Sequence, residues 1–147
     1  MQEVHCTVKN KNMFKSQWKG LSFFALSDSN YSKGVAILFN PKFNDISVLD
    51  ECDCGDGRTL IVRIEINDQV INLINTYAPN SVKQRCEYFA NVTKWINKQT
   101  SAKHLIVLGG DMNCCLELND RSTNTHSNDK SRDAMKLMID KLCLNDV

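Results

Sequence analysis

The 147 residues carry 18 lysines and arginines against 17 acidic residues, a formal net charge of +1. This near balance excludes a global field that draws the chain onto a polyanion, so any such contact must come from a local patch. At 42% hydrophobic and 24% charged, the composition is that of one ordinary globular domain rather than a disordered or membrane-spanning chain, and no apolar run approaches a membrane span. The expectation is an intracellular, monomeric protein with no membrane partner. Seven cysteines are spaced without the paired pattern of a structural zinc site and read as free thiols of a reducing compartment.

In chain order, Leu21 to Ala25 is a short apolar run. Gly34 to Phe39 is a second, rich in strand formers and stopped by Asn40-Pro41. Ile46 to Leu49 is a third, followed by an acidic stretch, Asp50 to Arg58, that reads as a hairpin-like turn. Leu60, Val62, Ile64 and Ile66 alternate with Ile61, Arg63 and Glu65, the pattern of a half-exposed strand. Asn67-Asp68-Gln69 is a tight turn into a strand over Val70 to Tyr77.

From Ser81 to Lys98 the period changes. Tyr88, Phe89, Val92, Trp95 and Ile96 recur at helical spacing, with Pro79 just ahead. A strand from His104 ends in Gly109-Gly110. Leu118 to Lys130 is polar and reads as a long loop, and a last helix starts near Ser131 and runs to Leu142. Hairpin-linked strands followed by helix, strand, loop and helix predict an α/β domain with mixed sheets.

Polar groups collect where the strands end. Glu3 and His5 lie at the start, Tyr77 and Asn80 after the fifth run, Asp111 and Asn113 after the glycine pair, and Asp120 and Arg121 in the polar loop. In an extended segment residues two apart share a side, which would put Asp111 and Asn113 on one face. Glu3 and Asp111 are hard oxygen donors suited to Mg²⁺, with Mn²⁺ as an alternative. Asn80 and Asn113 can bond a phosphate oxygen or orient water. Tyr77 can donate to a phosphate oxygen as charge builds there. The chemistry these types share is metal-assisted phosphodiester hydrolysis.

Taken together, Gln2-Glu3-Val4-His5-Cys6, Gly34-Val35-Ala36-Ile37-Leu38, Tyr77-Ala78-Pro79-Asn80, Gly110-Asp111-Met112-Asn113 and Asp120-Arg121-Ser122 resemble the endonuclease/exonuclease/phosphatase (DNase I-like) superfamily. The order and spacing are most similar to the apurinic-type endonuclease domain of LINE-like non-LTR retrotransposons. The resemblance implies a four-layer α/β sandwich of two mixed sheets, here a partial one. It implies that Glu3 is a Mg²⁺ ligand and that Tyr77 contacts phosphate. Asp111 would position the attacking water, with Asn113 as its orienting partner and Asn80 in a supporting role. The implied substrate is duplex DNA in the nucleus, nicked to prime a reverse transcriptase of the same polyprotein.

The family pattern also has a strand before the Gln-Glu-x-His element and a later Ser-Asp-His element. The 147 residues contain neither, so the stretch is expected to be a piece of one domain with weak or no activity by itself. His126 is a poor substitute for the missing histidine. Two other readings are a small-substrate phosphoesterase of the same fold and a non-catalytic nucleic-acid module using Lys9, Lys11, Lys15 and Lys19 with Trp18.

Overall fold

The computed structural model describes residues 1–27, 33–43, 45–116 and 129–145. Asp120, Arg121, Ser122 and His126 lie outside the described residues. The elements in chain order are α1 (Lys11–Gln17), β1 (Ser22–Ala25), β2 (Val35–Leu38), β3 (Ser47–Asp53), β4 (Thr59–Ile66), β5 (Gln69–Tyr77), α2 (Val82–Gln99), β6 (Leu105–Asp111) and α3 (Ser131–Lys141). They fall into two compact units, Met1–Tyr77 with Thr100–Asp111, and Ala78–Gln99 with Met112–Val147.

The first unit holds both sheets. Strands β1 and β2 pair antiparallel, and the larger sheet has the order β3-β4-β5-β6. Its β3-β4 and β4-β5 pairs are antiparallel and its β5-β6 pair parallel. Among the described residues the larger sheet is mixed and the smaller is an antiparallel pair, which makes an α/β domain of two sheets. The central hairpin turns on Asn67 and Asp68, at φ +50° and +60°. Both residues are left-handed, as the tightest hairpin turn requires, and Asn and Asp tolerate that conformation best after glycine.

The core lies between the sheets. Leu60, Val62 and Ile64 of β4 and Tyr77 of β5 meet Ala25, Val35 and Phe39, with Ile71 and Leu73 packed against them. On the far side of the small sheet, Phe24, Ala36 and Cys6 form a second cluster joined by Phe14 of α1. The Phe14 and Phe24 rings stand 6.2 Å apart. That contact explains a seven-residue helix with no buried residue of its own, which no periodicity announces.

Two expectations need correcting. Strand β3 runs on to Asp53, into the stretch read as a turn. It is an edge strand, so Asp50, Glu51 and Asp53 stay exposed while the backbone pairs with β4. Such charges also discourage edge-to-edge association. Strand β4 is not half-exposed: Ile61, on the row opposite Leu60 and Val62, is only 2% exposed.

The second unit contains α2 and α3. Phe89, Val92, Ile96 and Tyr88 of α2 are buried, as are Met135 and Met138 of α3, whereas Leu137, an apolar residue of the last helix expected to face the core, is 52% exposed. Arg85 breaks the α2 stripe. It is 4% exposed, and its guanidinium reaches the Asp129 carboxylate at 2.8 Å.

Candidate active site

Four of the five candidate residues sit at strand ends or in the loops that follow, and β5 organises the first unit's share. In that unit the Tyr77 hydroxyl donates to Glu3 Oε1 at 2.5 Å. Arg58 fixes the tyrosine from the other side, with its guanidinium 5.1 Å from the ring centre and Nη1 donating to the Tyr77 carbonyl at 3.1 Å. The hydrogen bond to Glu3 raises the Tyr77 pKa, burial and the Glu3 charge add to the rise, Arg58 opposes it, and Asp111 adds a further increment. The phenol therefore stays protonated across neutral pH and keeps a proton to donate.

Glu3 is held by its backbone. Val4 N donates to Gly34 O at 3.0 Å, His5 N to Lys33 O at 3.1 Å, and Ala36 N to Met1 O at 2.9 Å. These bonds lay Met1 to His5 antiparallel along the free edge of β2. Glu3 and His5 both adopt left-handed backbone, at φ +51° and +54°. Each such residue costs about 1 kcal/mol and persists where the surroundings over-determine it. Gly34 permits the close approach, because a Cβ there would sit 3.0 Å from His5 N.

Asp111 enters by register. Strand β6 lies parallel to β5 with Tyr77 opposite Asp111 and Thr76 opposite Gly110. Gly110 has φ +144°, and a Cβ on it would fall 1.9 Å from the Thr76 carbonyl oxygen, whereas a Cβ on Gly109 would meet nothing within 4 Å. Only the second glycine is thus demanded, and by the neighbouring strand. Glu3 and Asp111 are both exposed and both act on the Tyr77 hydroxyl.

The second unit carries the two asparagines. Asn113 lies past the end of β6 and is left-handed at φ +48°. Its Nδ2 donates to the Ala78 carbonyl at 2.8 Å, which ties the Met112-Asn113 turn to the loop that carries Asn80. Asn80 is exposed. Its carbonyl, with that of Pro79, accepts from Arg85 Nη1. Arg85 also donates from Nε to Ser131 Oγ at 2.8 Å and from Nη2 to Asp129 Oδ2. Burial pushes the Asp129 carboxyl up, but the Ser131 hydrogen bonds and the Arg85 charge outweigh it and hold the group below its ordinary range.

Arg58, Asn75 and Arg85 support these residues and were not read from the sequence. Two carried a signal. Asn75 stands where alternation calls for an inward apolar residue after Ile71 and Leu73. Arg85 stands on the α2 apolar stripe, seven residues before Val92. Arg58 carried none. All seven cysteines are free thiols, and burial with nearby Asp56 and Asp53 pushes Cys54 up to about 11, away from the thiolate form.

Glu3 and Asp111 give the first unit hard oxygen donors of the kind a divalent cation takes. Among the described residues no three His, Cys, Asp or Glu side chains cluster, so water and phosphate oxygens would complete any coordination shell.

No family profile matches the chain. It is 31% identical over 147 residues to the uncharacterized 149 kDa protein of transposon TX1 from Xenopus laevis, an alignment that takes in all of this chain and 11% of that protein. Among solved structures it superposes on a functionally unknown conserved protein from Enterococcus faecalis V583 (TM-score 0.60, 13% identity, 88% of this chain and 54% of that one). It superposes on truncated Caenorhabditis elegans TDP2 (0.54, 18%, 85% and 52%). A third match is D. rerio TDP2 complexed with single strand DNA product (0.53, 19%, 81% and 49%). The chain carries a DNase I-like α/β domain. Its transposon relative agrees with the mobile-element resemblance of the sequence. The chain spans about half the length of these solved chains.

Proposed function

We propose that this DNase I-like domain hydrolyses phosphodiester bonds in DNA, slowly as this stretch alone, with a divalent cation, Mg²⁺ or in its place Mn²⁺. The observation that carries the reading is the Tyr77 hydroxyl, bonded to Glu3 and register-paired through its strand with Asp111. Carboxylate oxygens able to hold a cation, beside a protonated phenol, suit a phosphoryl group.

Glu3 would hold the cation, which when bound would polarise the phosphoryl oxygen and ease formation of hydroxide. Asp111 accepts the proton of the attacking water. The water oxygen bonds to phosphorus as the bond to O3′ breaks, leaving a 5′-phosphate and a 3′-hydroxyl that takes its proton from solvent. With Glu3 engaged by the cation, the single Tyr77 O–H would turn from Glu3 to the phosphate oxygen on which charge develops. Asn113 orients phosphate or water, and Asn80 supports its loop.

Two similarities favour DNA over a small phosphoester. One solved neighbour is TDP2 with a single strand DNA product, and the sequence relative is a transposon protein. In such a protein the nick would prime a reverse transcriptase of the same polyprotein, and the work would be nuclear. Incubating the protein with supercoiled plasmid and, separately, with inositol polyphosphates tests the choice. Open-circle plasmid formed with Mg²⁺ and not with chelator supports the reading. Phosphate release without nicking overturns it.

A further inference from the structure

Asn75 is a buried carboxamide, 7% exposed, on the inward row of β5 between Leu73 and Tyr77. An unbonded amide there would cost more than a leucine. The amide is bonded, however, and all its bonds run to the segment that carries Glu3 or to its pairing partner. Nδ2 donates to the Met1 carbonyl at 2.8 Å and to the Ala36 carbonyl at 2.9 Å. Oδ1 accepts from Gln2 Nε2 at 2.7 Å.

The geometry forms a ladder. Asn75 and Tyr77 are two apart on one strand and face the same way. Gln2 and Glu3 are consecutive on the segment opposite. The Gln2–Asn75 bond is one rung, and the Glu3–Tyr77 bond is the next. Backbone bonds at Met1 and Val4 fix the segment on either side of Glu3 but not the tilt of its side chain towards β5. Glu3 itself sits in a left-handed conformation that its own preferences would abandon.

We infer that Gln2 and Asn75 are positioning residues: their carboxamide rung ties the Glu3 segment to β5 and so aims the Glu3 carboxylate at Tyr77. The inference rests on the reading of Glu3 and Tyr77 as site residues, and it assigns the pair no contact with substrate. A metal-holding carboxylate aimed by a neighbouring hydrogen bond loses about 10- to 100-fold in cation affinity when that support is cut.

Two variants test it. Gln2→Met keeps the length of a partly exposed side chain and removes the donor. Asn75→Leu removes all three bonds. The protein labelled with ¹³C at tyrosine Cζ reports the Tyr77 hydroxyl without metal or substrate, with Glu3→Ala as the reference in which the bond is absent. In folded Gln2→Met the Tyr77 resonance should move towards the Glu3→Ala position, and the Mg²⁺ concentration for half-maximal nicking should rise about tenfold with little change at saturating Mg²⁺. A Tyr77 resonance that stays at its wild-type position in folded Gln2→Met overturns the inference, even if Asn75→Leu fails to fold. If the wild-type protein does not nick at all, the proposed function fails by itself, and the resonance still decides whether the rung aims Glu3.

Discussion

Tyr77 and Asp111 stand opposite each other in register on two parallel strands, joined in sequence only through α2. A parallel pair needs such a crossover, and here it sets a phenol beside a carboxylate at one end of the sheet. Glu3 reaches the same hydroxyl from the strand-like segment beside β2. Three distant stretches of chain thus converge through pairing register and one hydrogen bond.

Tyr77→Phe separates chemistry from packing. The ring under Arg58 remains, and only the hydroxyl is lost. Stability should change by no more than about 1 kcal/mol, while single-turnover nicking should fall about 100-fold, the usual cost of one lost transition-state donor. Thermal melting and a nicking time course on the same preparation measure both. An unchanged rate would remove Tyr77 from the mechanism.

The two glycines before Asp111 should behave unequally. Gly110→Ala forces a methyl into the Thr76 carbonyl and should destabilise the protein by about 3 kcal/mol or prevent folding. Gly109→Ala meets open space and should stay within about 0.5 kcal/mol of wild type. Urea denaturation of the pair checks this, and equal losses would contradict the β5-β6 register described.

Asp129 gives the second unit a pH dependence. A carboxylate held below its unfolded value adds stability above about pH 4 that is lost as pH falls through the folded value. Asp129→Asn should flatten the acid limb of a plot of Tm against pH. Because it leaves the buried Arg85 charge without its carboxylate, it should also cost about 3 kcal/mol at neutral pH. A variant with wild-type acid sensitivity would show that the Arg85–Asp129 pair does not govern that limb.

Much of this architecture was legible in the sequence because period and punctuation agreed. The Asn67-Asp68 turn, the apolar stripe of α2 and the glycine-ended strand β6 each paired a pattern with a stop signal. The misreadings share a cause, which is that tertiary pairing overrode local composition. Asp50 to Asp53 looks like a turn, yet an edge position lets acidic residues form a strand. Ile61 falls on the row of β4 that alternation leaves exposed, yet it is buried. The supporting residues were the least legible. Arg85 and Asn75 appear as polar exceptions on buried faces, and only the partners they hold, the Pro79 and Asn80 carbonyls for one and the Gln2 side chain for the other, show why they are there.

The most direct measurement is plasmid nicking by excess protein with Mg²⁺ or Mn²⁺, comparing wild type with Asp111→Ala. Asp111 is exposed, so the variant should fold, and circular dichroism confirms that it has. Slow cation-dependent conversion of supercoiled to open-circle DNA, abolished in Asp111→Ala, is the predicted result. Nicking that survives in folded Asp111→Ala, or wild-type protein inert with both ions, would contradict it.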